Sequence, residues 1–196
     1  MKIRPIRNNF FIKIMQSGAS ERLLLQDFRA CLQQVRKGVL VQPSVANTFQ
    51  WQVTMMPNNG IYKDQILTYL IIFDNFPASV PKIVFQPGIV HPLIYPQTRV
   101  FDTSEMFKEW NVSVRVYTLI NYIYDSFIEI LIPGNREVPN PEAASKMRRG
   151  GDAYAKKLIE QLPPPPSPTE LSELNVPKNW NKQKERIAHI LSSSHK

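Results

Sequence analysis

Cys31 and His91 are two side chains of this sequence that could take part in nucleophilic or acid–base chemistry. A cysteine thiolate is a nucleophile, and a histidine can exchange a proton near neutral pH. Cys31, however, falls on the apolar face of a predicted helix, where a cysteine is usually a small buried hydrophobe with no cation beside it to lower its pKa. His91 has neither a nucleophile nor a paired carboxylate near it in the sequence, which favours a structural, hydrogen-bonding role.

The sequence contains no recognisable metal or cofactor motif. Its acidic residues are scattered and do not form a metal-binding pattern such as His-Glu-x-x-His. A single cysteine can form neither an internal disulfide nor a zinc site made of cysteines. We therefore expect no cofactor and no metal, and the cysteine usage fits a reducing compartment such as the cytoplasm.

The composition is typical of a globular protein. Of the 196 residues, 43% are hydrophobic and 20% are charged, which is unlike a disordered chain. The longest apolar stretch, Ile66–Phe73, is interrupted by Thr68 and is far shorter than the roughly 20 residues that a membrane-spanning helix needs. Lys13 interrupts the apolar run Phe10–Ile12 and no small-residue cleavage site follows, so no secretory signal is predicted.

Basic residues are concentrated at the start of the chain, which has a net charge of +8. Four of them precede the first acidic residue, Glu21: Lys2, Arg4, Arg7 and Lys13. Residues 1–19 are therefore interpreted as a basic, solvated arm. A specific nucleic-acid-binding function would rest on net charge alone, because no RNA-binding aromatic signature and no Cys/His finger accompany the arm.

Hydrophobic periodicity and turn residues predict an α+β fold that opens with a helix and a four-stranded meander. Ser20 is the predicted N-cap of the helix, and Gly38 ends it. The apolar face of this helix is predicted to be Leu24, Phe28, Cys31, Leu32 and Val35. The predicted strands are Val39–Val41, Thr48–Met55, Ile66–Phe73 and Lys82–Phe85.

The second half of the domain is predicted to be irregular and then helical. Prolines and glycine prevent long regular elements in residues 86–113. Helical spacing of apolar residues runs from Val116 to Leu131, and a further helix is predicted over Glu142–Leu162. The predicted core is Trp51, Leu67, Leu70, Ile72, Phe85 and Ile120. Leu70 and Ile72 have the same parity and are placed on the core face, whereas Leu67 would need a bulge or the opposite face.

A proline-rich spacer, Pro163–Pro168, ends the domain at residue 162 and opens a tail over residues 163–196. Residues 179–191 can form about three helical turns with Trp180, Ile187 and Leu191 on one apolar stripe. Alone, this segment is too short for a stable helix in water, so it docks on the body, folds on a partner or stays disordered. We expect docking to the body or to a coiled-coil partner, with these three residues as partner-binding groups.

Six motifs in the right order resemble the ubiquitin-conjugating (E2) domain, the UBC fold, over residues 20–162. They are Trp51, Gly60-Ile61-Tyr62, the segment from Phe76 to Phe85, His91-Pro92, Trp110, and the segment from Pro139 to Ala144. The resemblance implies an N-terminal helix, a four-stranded antiparallel meander, an irregular former active-site segment and C-terminal helices.

The resemblance also implies that the catalytic apparatus is degenerate. Active E2 enzymes have His-Pro-Asn followed by a nucleophilic cysteine, whose thiolate accepts ubiquitin as a thioester while the asparagine amide stabilises the oxyanion. Here His91 and Pro92 match, Leu93 replaces the asparagine, and Phe101 lies at or beside the position of the cysteine, eight residues after Leu93. Leucine cannot stabilise the oxyanion and phenylalanine is not a nucleophile. We therefore expect no catalytic residue in this sequence.

Among inactive E2 variants, the sequence is similar to the Fused Toes and Akt-interacting protein family, particularly to crossbronx-like proteins of insects. The similarity rests on the segments from Gly38 to Ser44 and Asn140 to Ala144, on Gly60-Ile61-Tyr62, on Val84-Phe85, and on His91-Pro92-Leu93 with Pro96. It implies a cytoplasmic adaptor whose candidate partners are Hook-type coiled-coil adaptors, an Akt-like kinase or ubiquitin. Two alternatives stay open: a ubiquitin-binding variant that assists an active E2, and an active E2 with an unrecognised nucleophile.

Overall fold

In the computed structural model of the chain, three helices and four strands are formed by the described residues, which are 8–44, 46–104, 106–107, 110–111, 113–129 and 137–162. The helices are α1 (Asn8–Gln34), α2 (Val116–Ile128) and α3 (Pro141–Glu160). The strands are β1 (Val39–Pro43), β2 (Gln50–Met55), β3 (Leu67–Ile72) and β4 (Lys82–Phe85). This order confirms the predicted α+β class.

The four strands form one antiparallel sheet in the order β1-β2-β3-β4. Short links between consecutive strands permit this meander. Along β2 and β3, buried and half-buried side chains alternate, so one face of the sheet supports the core. Trp51 and Phe85 lie on that face and Ile120 of α2 packs in the same core, as predicted.

The predicted core face of β3 is wrong in parity. Leu70 and Ile72 are half-buried on the outer face, whereas the odd-numbered residues of the strand are buried. Every residue of β3 except Thr68 is apolar, so hydrophobic periodicity could not distinguish the two faces. Pairing with β2 decides the matter, because Ile71 lies opposite the buried Trp51.

Helix α1 begins at Asn8, well before the predicted start at Ser20. Ser20 is therefore inside the helix and is not its N-cap; its hydroxyl donates to the Phe76 carbonyl at 2.9 Å. Residues 8–19 contain no proline that would end a helix. The part of the predicted arm from residue 8 onward is thus helical, and residues 1–7 lie outside the described part of the chain.

The inner stripe of α1 packs against the sheet and α2. Leu24 and Cys31 are fully buried, and the ring of Phe28 meets Trp51 edge-on with centroids 5.8 Å apart. Leu32 was predicted on this stripe but is 65% exposed. The buried face of α1 thus covers a smaller part of the helix circumference than the sequence indicated, and Leu32 lies outside this face.

The end of α1 is tied to α2 by polar contacts. The Asn121 side chain accepts the Arg36 backbone N–H and donates to the Gln34 carbonyl, both at 2.9 Å. The Arg36 guanidinium makes two hydrogen bonds to the Asp125 carboxylate, at 3.1 and 2.8 Å. The Asn121 amide thus pairs the Gln34 carbonyl, which is one of the C-terminal carbonyls that a helix leaves without an intrahelical partner, and the Arg36 ion pair adds a side-chain contact with α2.

Helix α3 differs little from its prediction of Glu142–Leu162. Pro141 occupies its first turn, and Asn140 caps it by accepting the Ala143 N–H at 3.0 Å. Gly150 and Gly151 lie within the helix without interrupting it.

Among the described residues, none of the three helices combines the length and the hydropathy that a membrane-spanning segment requires.

Candidate functional site

The chain after β4 folds back along that strand and brings the two degenerate motif positions together. Phe101 forms a single antiparallel bridge with Ile94, and its N–H donates to the Ile83 carbonyl at 3.0 Å. The Asp102 N–H donates to the Leu93 carbonyl at 2.7 Å. This backbone pairing brings the chain segments that contain Leu93 and Phe101 together, although eight residues separate the two positions in the sequence.

His91 is completely buried and both of its ring nitrogens are hydrogen bonded. The Leu93 N–H donates to Nδ1 at 3.1 Å, so the ring's own proton is on Nε2, which donates to the Ser126 carbonyl at 3.0 Å. The ring also stacks on Phe127 with centroids 4.5 Å apart. Burial lowers the pKa of His91 to about 4, because the imidazolium would lose its hydration. The ring is therefore neutral at physiological pH, and each of its nitrogens is already engaged in a hydrogen bond.

Phe101 belongs to a group of stacked and edge-on rings that we call the aromatic cluster: Phe85, His91, Phe101, Tyr122 and Phe127. Ring centroids around Phe101 are 5.8 to 6.3 Å away, within the range of favourable aromatic pairs. Phe101 and Leu93 are only 2% and 3% exposed. At the positions that the resemblance assigns to a nucleophile and an oxyanion donor, the chain thus has buried hydrocarbon.

Pro92 connects this region to α3. The Asn140 N–H donates to the Pro92 carbonyl at 3.0 Å, while the Asn140 side chain caps α3. The two motifs His91-Pro92 and Asn140-Pro141 are therefore in direct contact, although almost fifty residues separate them in the sequence.

The Gly60-Ile61-Tyr62 motif supports the same region from the other side. Gly60 has a φ of +81°, and a Cβ at this position would lie 2.5 Å from the Phe127 carbonyl oxygen. The Tyr62 hydroxyl donates to the Val90 carbonyl at 2.6 Å and accepts the Val90 N–H at 3.1 Å. Glycine permits the close approach to α2, and tyrosine fixes the backbone just before His91.

Cys31 lies in the core of the domain, on α1, and is 0% exposed. Burial raises the pKa of its thiol to about 12, and the nearby Asp27 carboxylate acts in the same direction. The side chain is a neutral thiol at physiological pH, and a thiol without access to solvent is a poor nucleophile.

Sequence reasoning missed a buried ion pair next to this cysteine. Asp27 is 4% exposed, accepts the Val116 N–H at 3.2 Å and contacts the Arg115 guanidinium at 2.9 Å. Burial raises the pKa of Asp27, and these two contacts oppose that effect. The pair joins α1 to the first turn of α2. The available signal was an acid at helical spacing between Leu24 and Cys31.

A surface groove of about 830 Å³ runs between the Val90–Pro96 segment and α3. Its apolar lining includes Leu158, and its rim carries the cations Lys146, Arg149 and Lys157. Lys146 forms an ion pair with Glu142 one turn earlier.

Within the described ranges, no group of three His, Cys, Asp or Glu side chains could hold a metal ion. The predicted partner residues Trp180, Ile187 and Leu191 lie outside the described residues.

Comparison with protein families assigns the domain. The ubiquitin-conjugating enzyme family model matches residues 23–162. A solved structure described as a novel ubiquitin-conjugating enzyme superposes with a TM-score of 0.61 and covers 70% of this chain and 91% of its own, at 19% identity. At that identity the likeness establishes the UBC fold.

Two curated relatives illustrate which branch of the family is similar. The protein crossbronx of Drosophila virilis is 30% identical over 158 residues, which is 76% of this chain and 64% of the relative. The AKT-interacting protein of Danio rerio is 27% identical over 145 residues, which is 72% of this chain and 48% of the relative. The chain thus spans less than two thirds of the length of these relatives. With the family model and the sheet, these similarities identify the chain as a member of the ubiquitin-conjugating enzyme family, a UBC-fold variant related to crossbronx and AKT-interacting proteins.

Proposed function

We propose that this protein is a catalytically inactive E2 variant that acts as a protein-binding adaptor in the cytoplasm. The observation that carries the proposal is the burial of Phe101 in the aromatic cluster, at the position that the resemblance assigns to the nucleophile. Leu93 has no side-chain amide to stabilise an oxyanion, and Cys31 is buried in the core with a raised pKa.

The relatives support a role in binding proteins. One of them is named for an interaction with the kinase AKT, and the Fused Toes resemblance extends the candidate partners to Hook-type coiled coils and ubiquitin. The groove beside α3 and the exposed side of α1 offer surfaces for such contacts. Loss of chemistry with retention of the fold is the combination expected of an adaptor.

A thioester assay tests the absence of catalysis. The protein is incubated with ubiquitin, ATP and an activating enzyme, and the products are separated on a non-reducing gel, with a catalytically active E2 as the positive control. We expect no adduct that a reductant removes. A reductant-sensitive adduct that disappears in Cys31→Ser would contradict the proposal and would favour an active enzyme with an unrecognised nucleophile.

A second arm of the assay uses Phe101→Cys. Replacing a buried ring by a thiol opens a cavity in the aromatic cluster and is expected to cost about 3 kcal/mol of stability. Leu93, at the position that the resemblance assigns to the oxyanion donor, has a hydrocarbon side chain and cannot supply this group to the new thiol. We therefore expect little or no adduct from this variant, and efficient ubiquitin loading would show that residue 101 alone limits the activity.

A further inference from the structure

The outer side of α1 carries alternating arginine and leucine side chains that the sheet and α2 leave uncovered. The residues are Arg22, Leu25, Arg29 and Leu32, at successive steps of three, four and three. We call these four residues the α1 seam. All four are exposed, and the leucines are 52% and 65% exposed.

This spacing is the one by which two helices pack along a common seam. Steps of three and four residues keep successive side chains on one stripe of a helix, as at the a and d positions of a coiled coil. Five large hydrophobic residues are exposed in the described part of the chain, and two of them, Leu25 and Leu32, lie one heptad apart on this stripe. Leu25 and Leu32 thus form an uncovered apolar stripe that a partner helix could bury.

The charge of the seam restricts the partner. Arg22 and Arg29 are the charged members of the seam, and both are positive. Of the two acids of α1, Asp27 points into the core and pairs with Arg115, and Glu21 is half-buried beside the seam. A second copy of this chain would bring four seam arginines into one interface with no seam carboxylate to pair with them, whereas a helix that bears leucine and glutamate would complement both components.

We propose that the α1 seam docks an acidic amphipathic helix of a partner protein, with leucines facing Leu25 and Leu32 and carboxylates facing Arg22 and Arg29. The proposal rests on the adaptor function above and specifies the kind of partner. Electrostatic complementarity sets the selectivity, and burial of the two leucines supplies the affinity.

Fluorescence anisotropy with designed peptides tests the proposal on the full chain. The probe is a fluorescein-labelled three-heptad peptide with leucine at a and d and glutamate at e and g, and the reference peptide has lysine at e and g. We expect saturable binding of the acidic peptide that weakens with salt, and at least about tenfold weaker binding of the basic one.

Matched variants locate the binding. Leu25→Gln with Leu32→Gln should lower the affinity at least about tenfold, and Arg22→Glu with Arg29→Glu should reverse the preference between the two peptides. Ile66→Gln with Met106→Gln is the control, because it alters side chains that are 44% and 51% exposed outside α1 and should leave binding unchanged. Circular dichroism melts establish that each variant is folded.

Three outcomes would overturn the proposal. The first is equal binding of the two peptides, or none. The second is an affinity that the seam variants do not change. The third is that the seam binds something other than the peptide. Sedimentation would then show a dimer that the seam variants abolish, or the protein would bind phosphatidylserine-containing vesicles through the seam and would not bind the peptide. A ubiquitin thioester would instead contradict the proposed inactivity, so the two failures are distinguishable.

Discussion

At the residue scale, His91 shows how a side chain suited to proton transfer becomes a structural one. Its Nδ1 accepts the Leu93 N–H, its Nε2 donates to the Ser126 carbonyl, and its face stacks on Phe127. The Leu93 contact requires a neutral ring, because protonated Nδ1 could no longer accept. The structure thus couples the protonation of one residue to the packing of the aromatic cluster.

This coupling predicts a pH dependence of stability. The pKa of His91 is lowered to about 4 in the folded protein, from an ordinary value of 6.5. Below pH 6.5 the unfolded chain takes up a proton that the folded chain does not, so the His91 contribution is complete above pH 6.5 and is lost as the pH falls towards 4. The free energy of unfolding should fall by about 3 kcal/mol on this account.

Urea unfolding of the wild type and of His91→Gln at several pH values between 4 and 7 measures this contribution. Carboxylates titrate in both proteins, so the difference between the two curves isolates the histidine. The variant should be less stable at pH 7 and should show a shallower loss between pH 6.5 and 4. Parallel curves would mean that the ring is accessible to protons in the folded state.

At the element scale, the contrast within β3 leads to a direct test. Ile71 is 0% exposed on the core face, whereas Leu70 is half-buried on the outer face. Ile71→Ala should lower the free energy of unfolding by about 2–5 kcal/mol, and Leu70→Ala by about 1 kcal/mol or less. Chemical denaturation measures the loss of stability in each variant. A larger loss in Leu70→Ala than in Ile71→Ala would mean that Leu70 is on the core face, as the sequence predicted.

Two glycines test the close approach between the Gly60 turn and α2. Gly60→Ala places a Cβ 2.5 Å from the Phe127 carbonyl oxygen at a φ of +81°, so we expect a loss of at least about 2 kcal/mol. Gly18→Ala is the matched control, since it lies within α1 and the added Cβ would meet no atom within 4 Å beyond the local helix backbone, and it should stabilise by about 0.5–1 kcal/mol. Thermal melts should move in opposite directions.

The elements also show where sequence reasoning succeeds and where it stops. The bounds of β4 were predicted to the residue, because proline and polar neighbours delimit a short apolar run. The predicted start of α1 at Ser20 was wrong, because the local sequence around this serine is typical of an N-cap. The motif spacing located His91, Leu93 and Phe101, but not the aromatic cluster around them. That cluster depends on contacts between residues far apart in the chain, which local patterns do not encode.

At the scale of the whole molecule, the family model ends at residue 162 and the tail follows. The tail proposal rests on the stripe of Trp180, Ile187 and Leu191 in the sequence. Trp180→Ala with Ile187→Ala should lower the recovery of a bound partner at least about tenfold, because aromatic anchors dominate interface energies. Quantitative pull-down of the full chain, with Lys182→Ala and Lys184→Ala as the control, measures this. Unchanged recovery and unchanged thermal stability would leave the segment without a binding role.

The aromatic cluster also has an evolutionary consequence. Under the proposed function, acquiring the chemistry of an active E2 would require a thiol at position 101, a side-chain amide at position 93 and new side chains to fill the space of the lost ring. The first step alone removes a buried ring and is expected to cost about 3 kcal/mol, a substantial part of the roughly 5–15 kcal/mol that stabilises a domain. Under the proposed function, neither substitution alone would supply both missing groups, and the first would lower the stability. The aromatic cluster thus opposes a stepwise gain of catalysis by this chain.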